Sequence, residues 1–200
     1  MPGELVVRTL EKIWQTLEPL ELPMAVMGGV GLAVWEYVRA TRDVDLLIQL
    51  DVADVGPVLE ALHGTGIRPK QQPPVLDFGE VDILPLLYQP PGAFVEVRID
   101  LLLARSAYDR QSLTRRVPFS LPGLETEFFV LSCEDLIIHK LIAGRIIDRA
   151  DAAYLLRIQR PTIDFPYLKQ WVNQLALASE WSQIWRDAFP GEEVPPSPST

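Results

Sequence analysis

The chain has 200 residues, 48% of them apolar and 22% charged, which suits one domain of about average size, or a core of ~150 residues with a helical appendage, and leaves no length for a second full domain. Eighteen Lys and Arg against 27 Asp and Glu leave a formal charge of −9, which argues against a surface that grips nucleic acid over its whole extent and leaves room only for a local basic patch. A single cysteine, Cys133, excludes an intramolecular disulfide, two histidines argue against a structural zinc site, and charges interrupt every apolar run before the ~20 residues of a membrane helix, so the expectation is a cytoplasmic protein with no signal peptide and no membrane partner.

Residues 3–18 place Leu5, Val6, Leu10, Ile13, Trp14 and Leu17 along one stripe, the pattern of an amphipathic helix, which Pro19 and Pro23 end. Residues 24–27 predict a short strand, Gly28 and Gly29 a break, and residues 30–38 a helix. Residues 44–50 predict another strand and 53–63 another helix, stopped at His63-Gly64-Thr65-Gly66. Between residues 75 and 104 two apolar stretches flank Gln89-Pro90-Pro91-Gly92 and predict an antiparallel pair. Beyond Arg105 the character turns helical apart from a strand near residues 126–130, and Ser132 and Asp135 have capping-box spacing ahead of a helix running toward Arg145. Helices are expected at 148–158, 164–177 and 179–188. The expected domains are an α/β core over 1–130, a helical region over 131–190 and a disordered tail, GEEVPPSPST, over 191–200.

The chemistry concentrates in MGGVGLAVWEYVRATRDVDLLIQL, residues 27–50. Two glycines between a strand and a helix let backbone N–H groups approach a phosphate closely, and they serve equally as a tight turn with no ligand. Asp43 and Asp45 follow. Alternation along a strand puts both on one face, about 7 Å apart. Such a repelling pair belongs either at a solvated strand end or around a divalent cation, and magnesium takes sparse carboxylate sets together with substrate phosphates. Metal-assisted phosphoryl chemistry needs a third carboxylate from a neighbouring strand. In VEVRIDLLLA, Glu96, Arg98 and Asp100 share a charged face opposite Val97, Ile99 and Leu101; Asp82 in GEVDILPLL offers the same local pattern and competes, and Asp100 is favoured because it ends the polar stretch and enters LLLA.

The run GG-x(13)-D-V-D-L, Asp100 ahead of LLLA, and EDLIIHKLIAGRIIDRADAAYLL together resemble the nucleotidyltransferase superfamily with its polymerase-beta-like palm, over about residues 22–158, and within it the minimal bacterial branch akin to the abortive-infection toxin AbiEii. The resemblance implies an α+β fold, a mixed and mostly antiparallel sheet flanked by helices, with a C-terminal helical bundle. It implies Gly28 and Gly29 at the nucleoside triphosphate, Asp43 and Asp45 as ligands of two Mg²⁺ ions, with Mn²⁺ as a substitute, and Asp100 as third carboxylate and base. Arg39, Thr41 and Arg42 fall where such chains read R-x-T-x-D-x-D. Where the first motif usually reads Gly-Ser this chain has Gly-Gly, so position 29 offers no hydroxyl to a phosphate.

On periodicity Lys140 lies within an apolar arc of Leu136, Ile137, Ile138, Leu141 and Ile142, where it either snorkels or meets an anion. The resemblance aims it at triphosphate and extends the nucleotide-facing set to Arg145 and Asp148, whose spacing also allows a plain ion pair, with Asp151 at the same junction. The implied activity is transfer of a nucleoside monophosphate from an NTP to a hydroxyl of RNA, protein or a small molecule, in a toxin–antitoxin or phage-defence setting with a cognate antitoxin as partner. The alternative is a non-catalytic nucleotide- or partner-binding protein that keeps the fold. Arg105, Arg110, Arg115 and Arg116 form the basic cluster on which an RNA acceptor would dock. His63, His139 and Cys133 read as structural, and Trp171, Trp181 and Trp185 as core packing or a partner-binding face rather than base stacking.

Overall fold

The computed structural model describes residues 3–79 and 81–194. It is α+β and divides into two compact units, residues 1–34 with 38–131, and residues 35–37 with 132–200.

The first unit opens with α1 (Glu4–Leu17), whose buried stripe of Val6, Leu10, Ile13, Trp14 and Leu17 follows the predicted helical period. Burying each such side chain contributes about 1.5–3 kcal/mol. Pro19 then sits in a single turn of 3₁₀ helix over Glu18–Leu20, closed by Glu21 in the left-handed region. Next come β1 (Met24–Val26), α2 (Gly28–Val34), β2 (Asp43–Ile48), α3 (Val55–Leu62), β3 (Ile67–Pro69), β4 (Leu76–Asp77), β5 (Asp82–Tyr88), β6 (Val97–Leu103), α4 (Ala107–Thr114), β7 (Val117–Ser120) and β8 (Glu127–Val130).

The strands form one mixed sheet in the order β3-β5-β6-β2-β1-β8-β7, with β4 on β5. Among the described residues, β2 pairs with β6 and β1 with β8 in parallel, and the other strand pairs are antiparallel. The central strands carry the core. Along β6, Val97, Ile99, Leu101 and Leu103 are buried while Arg98, Asp100 and Leu102 face the other way, the period-2 signature of a strand with one dry face.

Three expectations are corrected here. The helix expected at 30–38 begins at Gly28 and stops at Val34. Glu36 adopts a left-handed φ of 65°, and the Trp35 carbonyl and Tyr37 ring join the second unit, accepting from Gln159 at 3.3 Å and stacking on Tyr154 at 4.0 Å. Strand β7 falls where helix was expected; it is an edge strand containing Pro118 with no buried residue, so it lacks the alternation that betrays a strand. Ile142, expected on the apolar arc, is 41% exposed.

The second unit holds α5 (Cys133–Ala143), α6 (Ile146–Ile158), α7 (Phe165–Gln174) and α8 (Ala178–Ala188). Ser132 caps α5 by accepting from the Asp135 N–H at 3.1 Å and donates to the Asp135 carboxylate at 2.6 Å, while the Tyr167 hydroxyl donates to the other Asp135 oxygen, also at 2.6 Å. Gly144 ends α5 in the left-handed conformation, the usual helix stop. Trp181 and Trp185 are buried in the bundle. Of the expected tail, Glu192 pairs with Arg160 through two bonds of 2.7 and 2.8 Å, and residues 195–200 lie outside the described residues. Among the described residues no helix is long and apolar enough to cross a membrane.

Candidate functional site

Strand alternation and strand register together build a carboxylate face on the sheet of the first unit. Asp43 and Asp45 point the same way from β2 while Val44 is buried on the other side. Strands β2 and β6 pair in parallel with Asp45 opposite Asp100 and Asp43 opposite Arg98. Directly paired residues share a face, so Asp43, Asp45, Arg98 and Asp100 form one group. Asp82 is excluded from it: it pairs with Leu103, on the face opposite to Asp100, and is buried against Arg105 at 3.0 Å.

Each carboxylate is held differently. The Thr41 hydroxyl donates to Asp43 Oδ1 at 2.9 Å, and Arg98 donates to Asp43 Oδ2 at 2.8 Å. Arg98 Nε also lies 3.1 Å from Asp100 Oδ2. Burial pushes the Asp100 carboxyl above its ordinary value; Arg98 opposes this, Asp43 adds to it, and Lys70 opposes it.

Asp45 lies against the glycine turn. A Cβ on Gly28 would land inside the Asp45 carboxylate, and Gly28 holds a φ of 57°, so only glycine suits both the backbone and the space. A Cβ on Gly29 would lie 2.5 Å from the Thr41 hydroxyl oxygen. The Met27 N–H donates to the Asp45 carbonyl at 2.9 Å, tying the start of the turn to β2. Arg42 is exposed and Arg39 half-buried, the latter bonded to the Ala40 carbonyl at 3.3 Å.

Three carboxylates with hard oxygen donors on one face match in type what Mg²⁺ or Mn²⁺ takes. Among the described residues no three His, Cys, Asp or Glu side chains converge as an ion cage. Between Asp43 and Asp100 lies the Arg98 guanidinium. Arg98 carried no role in the sequence reading, although its place two residues before Asp100 already put it on the same face.

In the second unit Lys140, Arg145, Asp148 and Asp151 form their own cluster. The Lys140 ammonium is buried, 2.7 Å from Asp148 and 3.0 Å from Asp151, and Arg145 pairs with Asp148. Lys140 therefore does not snorkel; its charge is met inside the bundle. Burial opposes ionisation of Asp148, but hydrogen bonds from Arg145 and Lys140 outweigh it and hold the carboxyl below its ordinary value. Burial and neighbouring Glu134 push the Cys133 thiol far up, so it stays a protonated, inert core group.

The basic cluster expected for RNA is partly committed within the first unit. Arg105 pairs with Asp82 and Asp77 at 3.0 and 3.8 Å, and Arg116 lies over the Phe129 ring while donating to the Leu113 carbonyl.

No family model matches the sequence, and no curated protein matches it. Solved structures match the fold. An antigenic nucleotidyltransferase-like protein from Paracoccidioides brasiliensis is 17% identical with a TM-score of 0.50, covering 90% of this chain and 92% of that chain. The antibiotic-resistance factor ANT(2'')-Ia in solution is 16% identical with a TM-score of 0.53, covering 91% and 95%. The same factor crystallised with adenylyl-2''-tobramycin is 14% identical at 0.50, covering 88% and 98%. The chain shares the fold of these nucleotidyltransferase-like proteins.

Proposed function

We propose that this chain is a metal-dependent nucleotidyltransferase that moves a nucleoside monophosphate from an NTP to an acceptor hydroxyl. The observation that carries the reading is the parallel register of β2 and β6, which puts Asp100 directly beside Asp45 on the face that also bears Asp43. Asp43, Asp45 and Asp100 would hold Mg²⁺, with Mn²⁺ as substitute and two ions as the full complement. A bound divalent ion would lower the pKa of the acceptor hydroxyl and neutralise charge on the departing pyrophosphate.

The chain's own groups supply the rest. Thr41 orients Asp43 through its hydroxyl, and Gly28 gives Asp45 room to stand against the turn. Asp100, set beside Asp45 on the same face, accepts the acceptor's proton. The acceptor oxygen then bonds to the α-phosphorus, the bond from the α-phosphorus to the bridging oxygen breaks, and pyrophosphate leaves. Gly28, Gly29, Arg39, Thr41 and Arg42 form the nucleotide side of this reading. Lys140, Arg145 and Asp148 are assigned instead to holding α5 and α6 together, since their charges are already paired.

A small-molecule hydroxyl is the favoured acceptor, by analogy with ANT(2'')-Ia, whose crystals hold an adenylylated tobramycin. Commitment of Arg105 and Arg116 to internal partners weighs against RNA. The AbiEii-like branch, the phage-defence setting and a cognate antitoxin rest on the sequence resemblance alone. One observation favours the non-catalytic alternative: Arg98 already pairs with both Asp43 and Asp100.

Incubation with each labelled NTP, Mg²⁺ and a cell extract separates the two. Transfer requires pyrophosphate release and labelled acceptor, both lost in Asp43→Ala/Asp45→Ala. Nucleotide binding without pyrophosphate release from any NTP would establish the non-catalytic reading.

A further inference from the structure

Arg98 bridges two carboxylates on the face that the proposed function assigns to the metal. Alternation along β6 turns Arg98 and Asp100 to one face, and parallel pairing with β2 sets Arg98 opposite Asp43. From there one guanidinium reaches two carboxylates on two strands, Nη2 to Asp43 at 2.8 Å and Nε to Asp100 at 3.1 Å. These are two of the three carboxylates that the proposed function gives to a divalent ion, and the inference rests on that reading.

We propose that Arg98 is an internal cation of the carboxylate face, which stands between Asp43 and Asp100 in place of a divalent ion and has to release both before the ion binds. A lysine or histidine in that position could yield by losing its proton. A guanidinium stays charged at any pH the protein meets, so it gives way only by moving. The Arg98 side chain is 47% exposed, so it has solvent to move into. The two carboxylates it holds differ in the same sense: Asp43 is more open than Asp100, at 31% against 16% side-chain exposure.

The consequence is a threshold. Metal binding is set against two ion pairs that already satisfy the carboxylates, so the chain takes the ion only at concentrations that outcompete its own arginine. Arg98 is thus a positioning residue: it keeps Asp43 and Asp100 aligned while no ion is bound and sets how much metal is needed to displace it.

The test is a Mn²⁺ titration of the whole chain without nucleotide, read by the loss of the free-ion paramagnetic resonance signal. Arg98→Gln is expected to bind Mn²⁺ at about tenfold lower concentration than the unmodified chain, the order expected when two partly exposed ion pairs no longer compete. Arg98→Lys, which keeps the charge but not the two-pronged reach, is expected to fall between. Asp45→Asn combined with Arg98→Gln should lose the binding, which assigns it to this face. Equal or weaker Mn²⁺ affinity in Arg98→Gln overturns the proposal while leaving a metal site standing; failure of every variant to bind Mn²⁺ removes the metal reading and this proposal with it. If Arg98→Gln does not fold, as judged by its circular dichroism melt, an unchanged threshold in Arg98→Lys overturns the proposal by itself.

Discussion

The Thr41 hydroxyl occupies the space into which a side chain at Gly29 would project: a Cβ there would lie 2.5 Å from Thr41 Oγ1 and 2.6 Å from Thr41 Cβ. The two positions share one volume, and this chain fills it from position 41, whose hydroxyl also orients Asp43. The absence of a hydroxyl at position 29 therefore reflects packing at the carboxylate face.

Gly29→Ala is accordingly expected to destabilise the fold by about 1–3 kcal/mol through overpacking. Thr41→Gly should remove the obstructing atoms, so the double substitution should cost less than the sum of the two single ones. Urea denaturation of the four proteins measures this coupling, and strict additivity would show that the positions do not share space.

Lys140, which the family resemblance aims at triphosphate, is engaged inside the helical unit. Its ammonium is buried between Asp148 and Asp151, and removing one partner of a buried ion pair strands the others. Lys140→Ala is expected to cost about 3–5 kcal/mol of stability, seen as a large fall in the denaturation midpoint. An unchanged midpoint would mean that the carboxylates find other partners.

The same cluster sets a pH dependence. The Asp148 carboxyl is less buried in its effect than it is hydrogen-bonded by Arg145 and Lys140, so its value in the fold lies below the ordinary 3.8. The folded state therefore releases this proton more readily than the unfolded chain. The resulting stabilisation is complete above the ordinary carboxylate value and is lost as pH falls through the depressed one. The stability gap between the unmodified chain and Asp148→Asn should be constant near neutrality and shrink below pH 3.8, measured by denaturant titration across pH.

Asp100 should behave in the opposite sense. Its folded value is raised above 3.8, first by burial, so the folded state holds this proton more tightly than the unfolded chain. Stability is lost as pH rises from the ordinary value through the raised one, and an ionised Asp100 is a net cost at neutrality. Asp100→Asn should thus be more stable than the unmodified chain at neutral pH, with the difference fading as pH drops below 3.8, while nucleotidyl transfer is lost. A destabilised Asp100→Asn at neutral pH would show that its pairing with Arg98 outweighs its burial.

What the sequence determined by itself is whatever depends on local period. Alternation assigned Asp43 and Asp45 to one face of a strand, and Arg98 and Asp100 to one face of another; the stripe through Leu10, Ile13 and Leu17 made α1; Ser132 with Asp135 marked the start of α5. Only the tertiary structure decided which strands lie side by side and in what register. That pairing set Asp100 beside Asp45, sent Asp82 to the other face, and brought Arg98 across to Asp43. It also gave Lys140 two carboxylates from the next helix, whereas periodicity within α5 could place it only among leucines and isoleucines. Residues 35–37 left the helical pattern for the same reason, since the partners of Trp35 and Tyr37 lie more than a hundred positions further along the chain. Period is a property of one segment, while register and ion pairing depend on two segments meeting, and that meeting is decided by burial of the whole core.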